Sequence, residues 1–280
     1  MKVFVVCLCI VVLLLLVLYL FSLRGRRYNY QKKSFLHIRY THRGLFKRGF
    51  IPENSLSAFK NAVIKGFGIE LDVHLLSDGS LAVIHDHSLE RTTGQKGTVE
   101  ELTAADLSKY KLENSNQTIP LFKQVLSVVN GAVPLVVELK AKNNVNRLCE
   151  AVVAELENYN GKWCIESFDP RCIYWFKKHK PEVVRGQLVM NYVKGGGKGK
   201  GILKYLLSWQ FFNFLTKPDF ISVKLKDRKD LSTRICKNFW KMDCFVWTVT
   251  DENTLEICEK EGFTPIFEQF EPKNNRSEVK

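Results

Sequence analysis

The sequence predicts an α/β fold, a (β/α)8 TIM barrel, preceded by one apolar N-terminal helix. After residue 36, short β-rich runs alternate with helical stretches, which is the pattern of parallel strands joined by crossover helices. The part of the chain that follows the apolar segment has about 250 residues, the usual size of such a barrel. The 280 residues are 45% hydrophobic and 12% aromatic, so the chain can form a large core.

The first element is an uninterrupted apolar run over residues 3–21. At about 1.5 Å per residue it reaches roughly 28 Å, close to the thickness of the hydrocarbon core of a bilayer. We therefore predict a transmembrane anchor at 3–23 and a basic linker at 24–36. The alternative is a cleaved signal peptide, but the run is long for one and no small-x-small cleavage site follows it.

The charges that flank the anchor predict its orientation. Five basic residues follow the apolar run, whereas Lys2 is the only basic side chain before it. The positive-inside bias then predicts that the domain after the anchor lies in the cytoplasm, on a single-pass protein of the cell membrane. The eight cysteines show no CxxC spacing, which indicates free thiols in a reducing compartment.

The formal net charge is +13. The basic residues are dispersed and no nucleic-acid-binding module accompanies them, so we do not expect nucleic acid as a partner. Attraction to anionic lipid headgroups or to a phosphate-bearing substrate explains the charge with fewer assumptions. A basic, solvated surface without a partner is the remaining alternative.

Nine runs are candidate strands, and eight are needed to close a barrel. They are 37–42, 68–73, 81–85, 135–140, 163–168, 184–189, 220–225, 244–249 and, less clearly, 264–268. The sequence does not indicate which of the nine is surplus. The barrel domain is assigned to 37–272 and a polar tail to 273–280.

Capping residues predict three of the helices between the strands. Asn54 or Ser55 can cap a helix at 56–65, Asp251 can cap one at 251–261, and a further helical pattern covers 144–159. The sequence GGGKGKG at 195–201 predicts a mobile loop.

Polar residues stand where the first four candidate strands end, the edge at which barrel active sites form. They are His42 and Arg43, then Glu70 and Asp72, then His85, then Glu138 and Lys140. A single buried acid could simply be neutralised by a neighbouring cation. Four strands in register with the same feature make that explanation inadequate.

These residue types suit cleavage of a phosphodiester. Three carboxylates without a soft ligand among them favour a hard cation, Mg²⁺ or Ca²⁺. Arg43 and Lys140 suit phosphate oxygens, and two histidines suit proton transfer near neutral pH.

The same residues lie in motifs that resemble the glycerophosphodiester phosphodiesterase family over residues 37–270. The matching segments are THRG at 41–44, PENSLSAF at 52–59, IELDVHLLSDGSLAVIHDHSLERTTG at 69–94, GTVEELTAADL at 97–107, IPLFKQVL at 119–126, VVELK at 136–140, SFDP at 167–170 and VWTVTDE at 246–252. The segments at 97–126 resemble a small insertion that the family carries after the third strand. The chain departs from the family at its end, where TPIFEQF replaces a segment like GIITDRP, which puts the last strand in doubt.

The resemblance implies a role for each motif residue. Glu70, Asp72 and Glu138 would be the metal ligands, and His42 with His85 the acid–base pair. The remaining implied residues are Arg43 and Lys140 on the phosphate, Trp247 in the pocket wall, and Glu53 and Asn54 as support for the rim. Glu53 and Asn54 could equally be loop and helix-cap residues, and His74 and His87 receive no role.

The implied reaction is hydrolysis of glycerophosphodiesters to glycerol 3-phosphate and an alcohol. A lysophospholipase D acting on membrane lysophospholipids with the same barrel is the nearest alternative. An inactive, membrane-tethered binding module is the alternative from another class, and the intact set of histidines and carboxylates argues against it.

A second membrane contact is expected at residues 202–215, ILKYLLSWQFFNFL, as one helix that is apolar nearly all round. An ordinary barrel helix packed on the sheet is the alternative.

Overall fold

The computed structural model describes residues 1–27, 29–194 and 201–273 of the chain. The glycine-rich loop expected at 195–201 therefore lies outside the described residues except for Gly201. Residues 274–280 of the expected polar tail lie outside them as well.

Eight parallel strands form a closed barrel, which confirms the predicted fold. They are β1 Tyr40–His42, β2 Gly68–Leu75, β4 Leu135–Leu139, β5 Trp163–Ser167, β6 Arg185–Val189, β7 Phe220–Lys224, β8 Asp243–Val249 and β9 Thr264–Phe267. Strand β1 closes the barrel because it pairs with β2 on one side and with β9 on the other. The last strand, doubtful from sequence, is thus a full member of the barrel.

The surplus strand is the third, β3 Leu81–Val83, which lies outside the barrel. It pairs antiparallel with the far end of β2, so the prediction that four consecutive parallel strands bring the site together was wrong for this strand. Strand β2 has eight residues and extends beyond the barrel rim. The chain then turns back along it, and the Ile84 amide donates to the Asp72 carbonyl at 3.1 Å, which returns His85 to the rim.

The helices follow the strands in the expected alternation. They are α1 Lys2–Ser22, α2 Leu56–Ile64, α3 Glu90–Thr93, α4 Phe122–Val129, α5 Val145–Leu156, α6 Pro170–His179, α7 Leu203–Ser208, α8 Asn213–Thr216, α9 Leu231–Arg234 and α10 Glu252–Lys260. A π-helical stretch, Ile235–Phe239, continues α9. Ser55, rather than Asn54, caps α2 through its hydroxyl, which accepts from the Ala58 amide at 3.2 Å, and Asp251 caps α10 in the same way.

The predicted insertion lies between β3 and α4. It contains two short 3-10 helices, Val99–Glu101 and Asp106–Lys109. Leu89 and Leu107 of the insertion share a small separate core with Leu76 and Ala82 of the β2–β3 hairpin. The insertion therefore covers the outer face of the β2–β3 hairpin with its own apolar contacts.

The basic linker packs on the barrel instead of standing free. The 3-10 helix Tyr30–Phe35 lies below the amino ends of the strands, and Phe35 is buried with Phe220 and Phe245 inside the barrel. The Lys32 ammonium is 2.7 Å from an oxygen of Asp243, and the Arg26 amide donates to the Pro218 carbonyl at 2.9 Å. Sequence reasoning missed this plug because its anchoring residues are few and scattered.

The segment expected as one helix at 202–215 forms two short helices, α7 and α8. Gln210 separates them because its φ of 59° is left-handed and ends the first helix. Its side-chain amide is buried and donates to the hydroxyls of Ser232 and Thr233 at 3.2 and 3.3 Å. The buried hydrogen bonds of a polar side chain thus override the helical pattern of the sequence.

Helix α1 has the length and apolar composition of a membrane span, a test that a signal sequence would also pass. Residues 2–18 are exposed, and only its last turn contacts the barrel.

Candidate active site

A cleft of about 610 Å³ opens at the carboxyl ends of the barrel strands. Strand register brings the predicted residues together at its base, since His42 is paired with Glu70 across β1 and β2. Asp72 is likewise opposite Glu138, and Glu138 is opposite Glu166 of β5. These positions form one row around the inner rim.

Glu70, Asp72 and Glu138 form a compact carboxylate cluster. Each offers an oxygen, and these oxygens all lie within 4.8 Å of one another. Burial raises the pKa of Glu70 well above its usual range, and the charges of Asp72 and Glu138 raise it further. Such crowding of buried acids requires a compensating cation, and an all-oxygen donor set fits a hard divalent ion.

Lys140 supplies part of that positive charge. Its ammonium lies 2.9 Å from an Asp72 oxygen and 2.7 Å from a Glu138 oxygen. Burial alone would raise the pKa of Asp72, but Lys140, His85 and Arg43 lower it well below its usual range. The Lys140 ammonium is thus held between two carboxylates of the cluster.

The two histidines have the same hydrogen-bonding arrangement. His42 Nδ1 is 2.6 Å from Glu268 Oε2, and His85 Nδ1 is 2.6 Å from Asp86 Oδ1. A carboxylate can only accept, so each Nδ1 carries the proton and each Nε2 remains available for proton transfer. Burial lowers the pKa of His42, although Glu268 opposes that change, and the neutral imidazole is favoured.

Arg43 connects the cluster to the rim. Its φ of 59° is left-handed, and in this conformation its backbone amide donates to Glu70 Oε2 at 3.0 Å. Its guanidinium donates to Glu53 Oε1 at 2.8 Å and lies 3.6 Å from an Asp72 oxygen. Arg43 therefore orients two of the proposed ligands as well as lining the cleft.

Glu53 and Asn54 both contact residues of the site. The Asn54 amide donates to Asp72 Oδ2 at 2.8 Å. Glu53 accepts from Arg43 and also from Arg91, at 2.7 Å, and Arg91 is hydrogen-bonded in turn to Asp86. The chain of contacts from Glu53 through Arg91 to Asp86 ends at His85.

The site residues that the sequence did not indicate include Asp86, Arg91, Glu166 and Glu268. Asp86 directly follows His85, and Glu166 interrupts an apolar strand, so both carried a readable signal. Burial raises the pKa of Glu166 to about 8, and Glu138 contributes to that change. Glu268 lies in the segment that departs from the family pattern, so no motif indicated it.

His74 and His87, to which the sequence assigned no role, lie beside the site with Glu100. Their Nδ1 atoms are 2.9 and 2.5 Å from the same oxygen, Glu100 Oε1. The other nitrogen of His74 is 3.2 Å from the carbonyl of His85. His74 is fully buried, so this group supports the backbone at His85 from the side away from the cleft.

The wall of the cleft on the β5–β8 side is apolar, while its mouth is basic. Trp247 packs edge-on against Phe168 at 5.6 Å, and its Nε1 donates to the Ser222 carbonyl at 3.1 Å. The other apolar wall residues are Leu188, Met190, Leu225 and Ile266, and the cations of the mouth are Arg48, Lys224 and Lys226.

A closed barrel with a carboxylate cluster, paired histidines and cations at one rim defines a hydrolase of phosphate esters. Residues 42–270 match the model of the glycerophosphoryl diester phosphodiesterase family, and the chain belongs to that family. It is accordingly a phosphoric diester hydrolase.

Relatives agree with this assignment. A glycerophosphodiester phosphodiesterase of Caldanaerobacter subterraneus is 31% identical over 238 residues, 80% of this chain and 90% of that protein. The lysophospholipase D GDPD1 of Rattus norvegicus is 33% identical over 128 residues, 41% of this chain and 40% of that protein. A phosphodiesterase of Oleispira antarctica, solved with the product sn-glycerol-3-phosphate, shares the fold at a TM-score of 0.69 and 22% identity, covering 85% and 94% of the two chains.

Proposed function

We propose that the enzyme hydrolyses glycerophosphodiesters to glycerol 3-phosphate and an alcohol, with a divalent cation at Glu70, Asp72 and Glu138. The observation that carries this proposal is the placement of His42 and His85 at the cluster, each with a carboxylate on Nδ1. Relatives named as glycerophosphodiester phosphodiesterases support the substrate class. The cation is Mg²⁺ or Ca²⁺ by the all-oxygen donor set.

In the proposed reaction, the residues of the cleft bind the phosphate and transfer protons. Arg43 and the cations of the mouth attract and orient the phosphate, and the bound cation would supply Lewis-acid neutralisation of its charge. Nε2 of one histidine takes the proton of the attacking oxygen, which is the glycerol 2-hydroxyl or a water. The other histidine enters the step doubly protonated, and its Nε2 donates that proton to the departing alkoxide. Attack by water gives glycerol 3-phosphate directly, and the two histidines regain their starting states by exchanging a proton through solvent. Attack by the 2-hydroxyl gives a cyclic phosphate, which water opens with the two histidines in exchanged roles, so both end as they began.

Release of glycerol 3-phosphate from a panel of glycerophosphodiesters by the full chain in detergent tests the reaction. Chelation should abolish turnover, and addition of Mg²⁺ or Ca²⁺ should restore it. Full turnover in excess chelator would overturn the metal assignment, and no release from any diester would overturn the substrate class.

A second candidate is a lysophospholipase D activity, in which the leaving alcohol departs from a lysophospholipid. The apolar wall of Phe168, Leu188, Met190 and Trp247 favours it, because an acyl chain could lie there. The relatives named lysophospholipase D GDPD1 support it over part of the chain. Parallel assays on glycerophosphocholine and lysophosphatidylcholine separate the two activities by which substrate is turned over faster.

We propose further that α1 anchors the enzyme in the cell membrane with the barrel in the cytoplasm. The basic residues after α1, such as Arg24 and Arg27, support this orientation. Alkaline extraction should leave the chain in the membrane fraction, and protease added to sealed cells should spare the barrel. A mature chain that begins after residue 22 would instead establish a signal peptide.

A further inference from the structure

The segment from Ile202 to Thr216 has the opposite polarity to an ordinary barrel helix. Four of its polar side chains, Ser208, Gln210, Asn213 and Thr216, are buried against the barrel. Several of its apolar side chains face outward, with Ile202 75% and Trp209 53% exposed. On an ordinary solvent-exposed helix of a barrel, the apolar side chains would face the barrel and the polar side chains would face water.

The last turn of α1 packs on this segment. The Tyr19 ring lies 5.1 Å from that of Phe211 and 6.1 Å from that of Trp209. The Trp240 indole donates to the Leu20 carbonyl at 2.8 Å, and the Asn213 amide donates to the Leu23 carbonyl at 3.3 Å. The outward apolar surface is therefore continuous with the helix that has the length of a membrane span.

The contacts of α1 also show on which side it leaves the barrel. Tyr19 lies beside Trp209, and the adjacent Ser208 hydroxyl accepts from the Tyr192 amide, just beyond the carboxyl end of β6. The Arg26 amide reaches Pro218, just before the amino end of β7. The chain thus descends from the carboxyl to the amino end of the barrel, so residues 2–18 project on the carboxyl side, where the cleft opens.

Further exposed apolar and basic residues surround the mouth on that side. Leu231, at the start of α9, is 68% exposed, and the preceding Asp230 binds the Lys194 ammonium at 2.9 Å. Across the mouth, Phe50 is 76% exposed with the ammonium of Lys47 over its ring. Lys194 and Lys229 are themselves largely exposed.

We propose that the carboxyl-terminal face of the barrel docks on an anionic bilayer, with Ile202, Leu203, Trp209 and Leu231 in the boundary between headgroups and acyl chains. The lysines meet anionic headgroups, and the cleft opens at the lipid surface. A bilayer is the occupant because α1 holds one beside this surface. The inference deepens the proposed function, on which it rests, by giving the site access to substrates within the membrane.

Site-specific fluorescence on the full chain in vesicles of phosphatidylcholine with one fifth phosphatidylserine tests the docking. Leu203→Cys and Leu231→Cys are labelled with an environment-sensitive dye after Cys7 and Cys9 are replaced by serine, since the other six cysteines are buried. Ile64→Cys is the matched control, because Ile64 is as exposed as Leu231, at 68%, but ends α2 at the amino end of the barrel.

Dyes at 203 and 231 should emit at shorter wavelength in vesicles than in water and should be quenched by nitroxide-labelled lipid. The dye at 64 should keep the emission of a water-exposed dye and should not be quenched. Three water-like signals would overturn the proposal. Shielding at 203 and 231 without quenching by the labelled lipid would assign the surface to a second copy of the chain, which also overturns it.

The double variant Leu203→Glu, Leu231→Glu separates docking from catalysis. It should lose quenching in vesicles, measured with the same dye on Ile202→Cys against nitroxide lipid, while it turns over soluble glycerophosphocholine at the parental rate in detergent. Unchanged quenching in this variant would contradict docking. Loss of soluble turnover by the parental chain would contradict only the hydrolytic proposal.

Discussion

At the scale of single residues, carboxylates outside the Glu70, Asp72 and Glu138 cluster position the histidines and Arg91. Glu268 and Asp86 each fix the tautomer of a histidine. Glu53 accepts a hydrogen bond from Arg91, which also donates to Asp86. Alternating patterns in the strands were sufficient to predict His42, Glu70, Asp72 and Glu138. Glu268 is 226 residues from its partner His42, and no local pattern could join them.

Glu268→Gln should lower kcat on the order of 10²-fold or more while KM changes little. The amide would no longer hold Nδ1 protonated, so Nε2 would lose its lone pair or its orientation. Steady-state kinetics on a glycerophosphodiester measure the effect. Glu271→Gln is the matched control, because Glu271 is half-exposed and pairs with half-exposed Lys65 at 2.7 Å, away from the histidines. Equal kinetics for both variants would remove Glu268 from the site.

His42→Ala and His85→Ala should each cost on the order of 10²-fold or more in kcat, as expected for a lost proton carrier. His87→Ala should cost little, because His87 is exposed and its ring contacts Glu100 and His74 rather than His42 or His85. Rates and circular dichroism of the three purified variants measure both effects. Similar small losses in all three would show that the acid and base were chosen wrongly.

At the scale of elements, the sequence indicated where strands lie but not how they pair. The run at 81–85 reads like any other barrel strand, and only its antiparallel pairing with the overlong β2 places it outside. The apolar run at 202–215 likewise predicts one helix, whereas the buried amide of Gln210 divides it. Hydrogen bonds between residues distant in sequence determine both the pairing of β3 and the break at Gln210. The periodicity of a single sequence contains no information about such bonds.

Gly186→Ala should destabilise the barrel by about 1–3 kcal/mol, because overpacking of a filled interior strains its neighbours. A Cβ at Gly186 in β6 would overlap the ring of Phe220 in β7. Chemical denaturation measures the loss, and adding Phe220→Leu should recover part of it. A Gly186→Ala chain as stable as the parent would show that the ring moves freely.

At the scale of the whole molecule, the barrel is organised around a buried negative charge at one end and a plug of aromatic side chains at the other. Glu70, Asp72, Glu138 and Glu166 are buried together, with Lys140 as the cation among them. The closed barrel and its active end were predictable from sequence. The plug formed by the linker was not, because its residues carry no period.

Binding of the divalent ion should therefore stabilise the fold as a whole. Mg²⁺ or Ca²⁺ added to the chelated protein should raise Tm, because an ion that binds only the folded state shifts the folding equilibrium by mass action. Glu70→Gln with Glu138→Gln should abolish the response without requiring any assay of turnover. A Tm of the parental chain that is indifferent to both ions would contradict the site.

The seam between β1 and β9 has a consequence for biosynthesis. Tyr40 pairs with Ile266 and Thr41 with Phe267. The first barrel strand therefore cannot complete its pairing until the last strand has been synthesised. Contacts this distant in sequence form late, and a chain on the ribosome holds open strand edges until they do. Glu268 directly follows that last strand, so its hydrogen bond with His42 forms only after β9 has paired. The α1 segment is synthesised before the barrel. With α1 as the proposed anchor, the polypeptide would reach the membrane while still inactive and gain activity only when its barrel closes there.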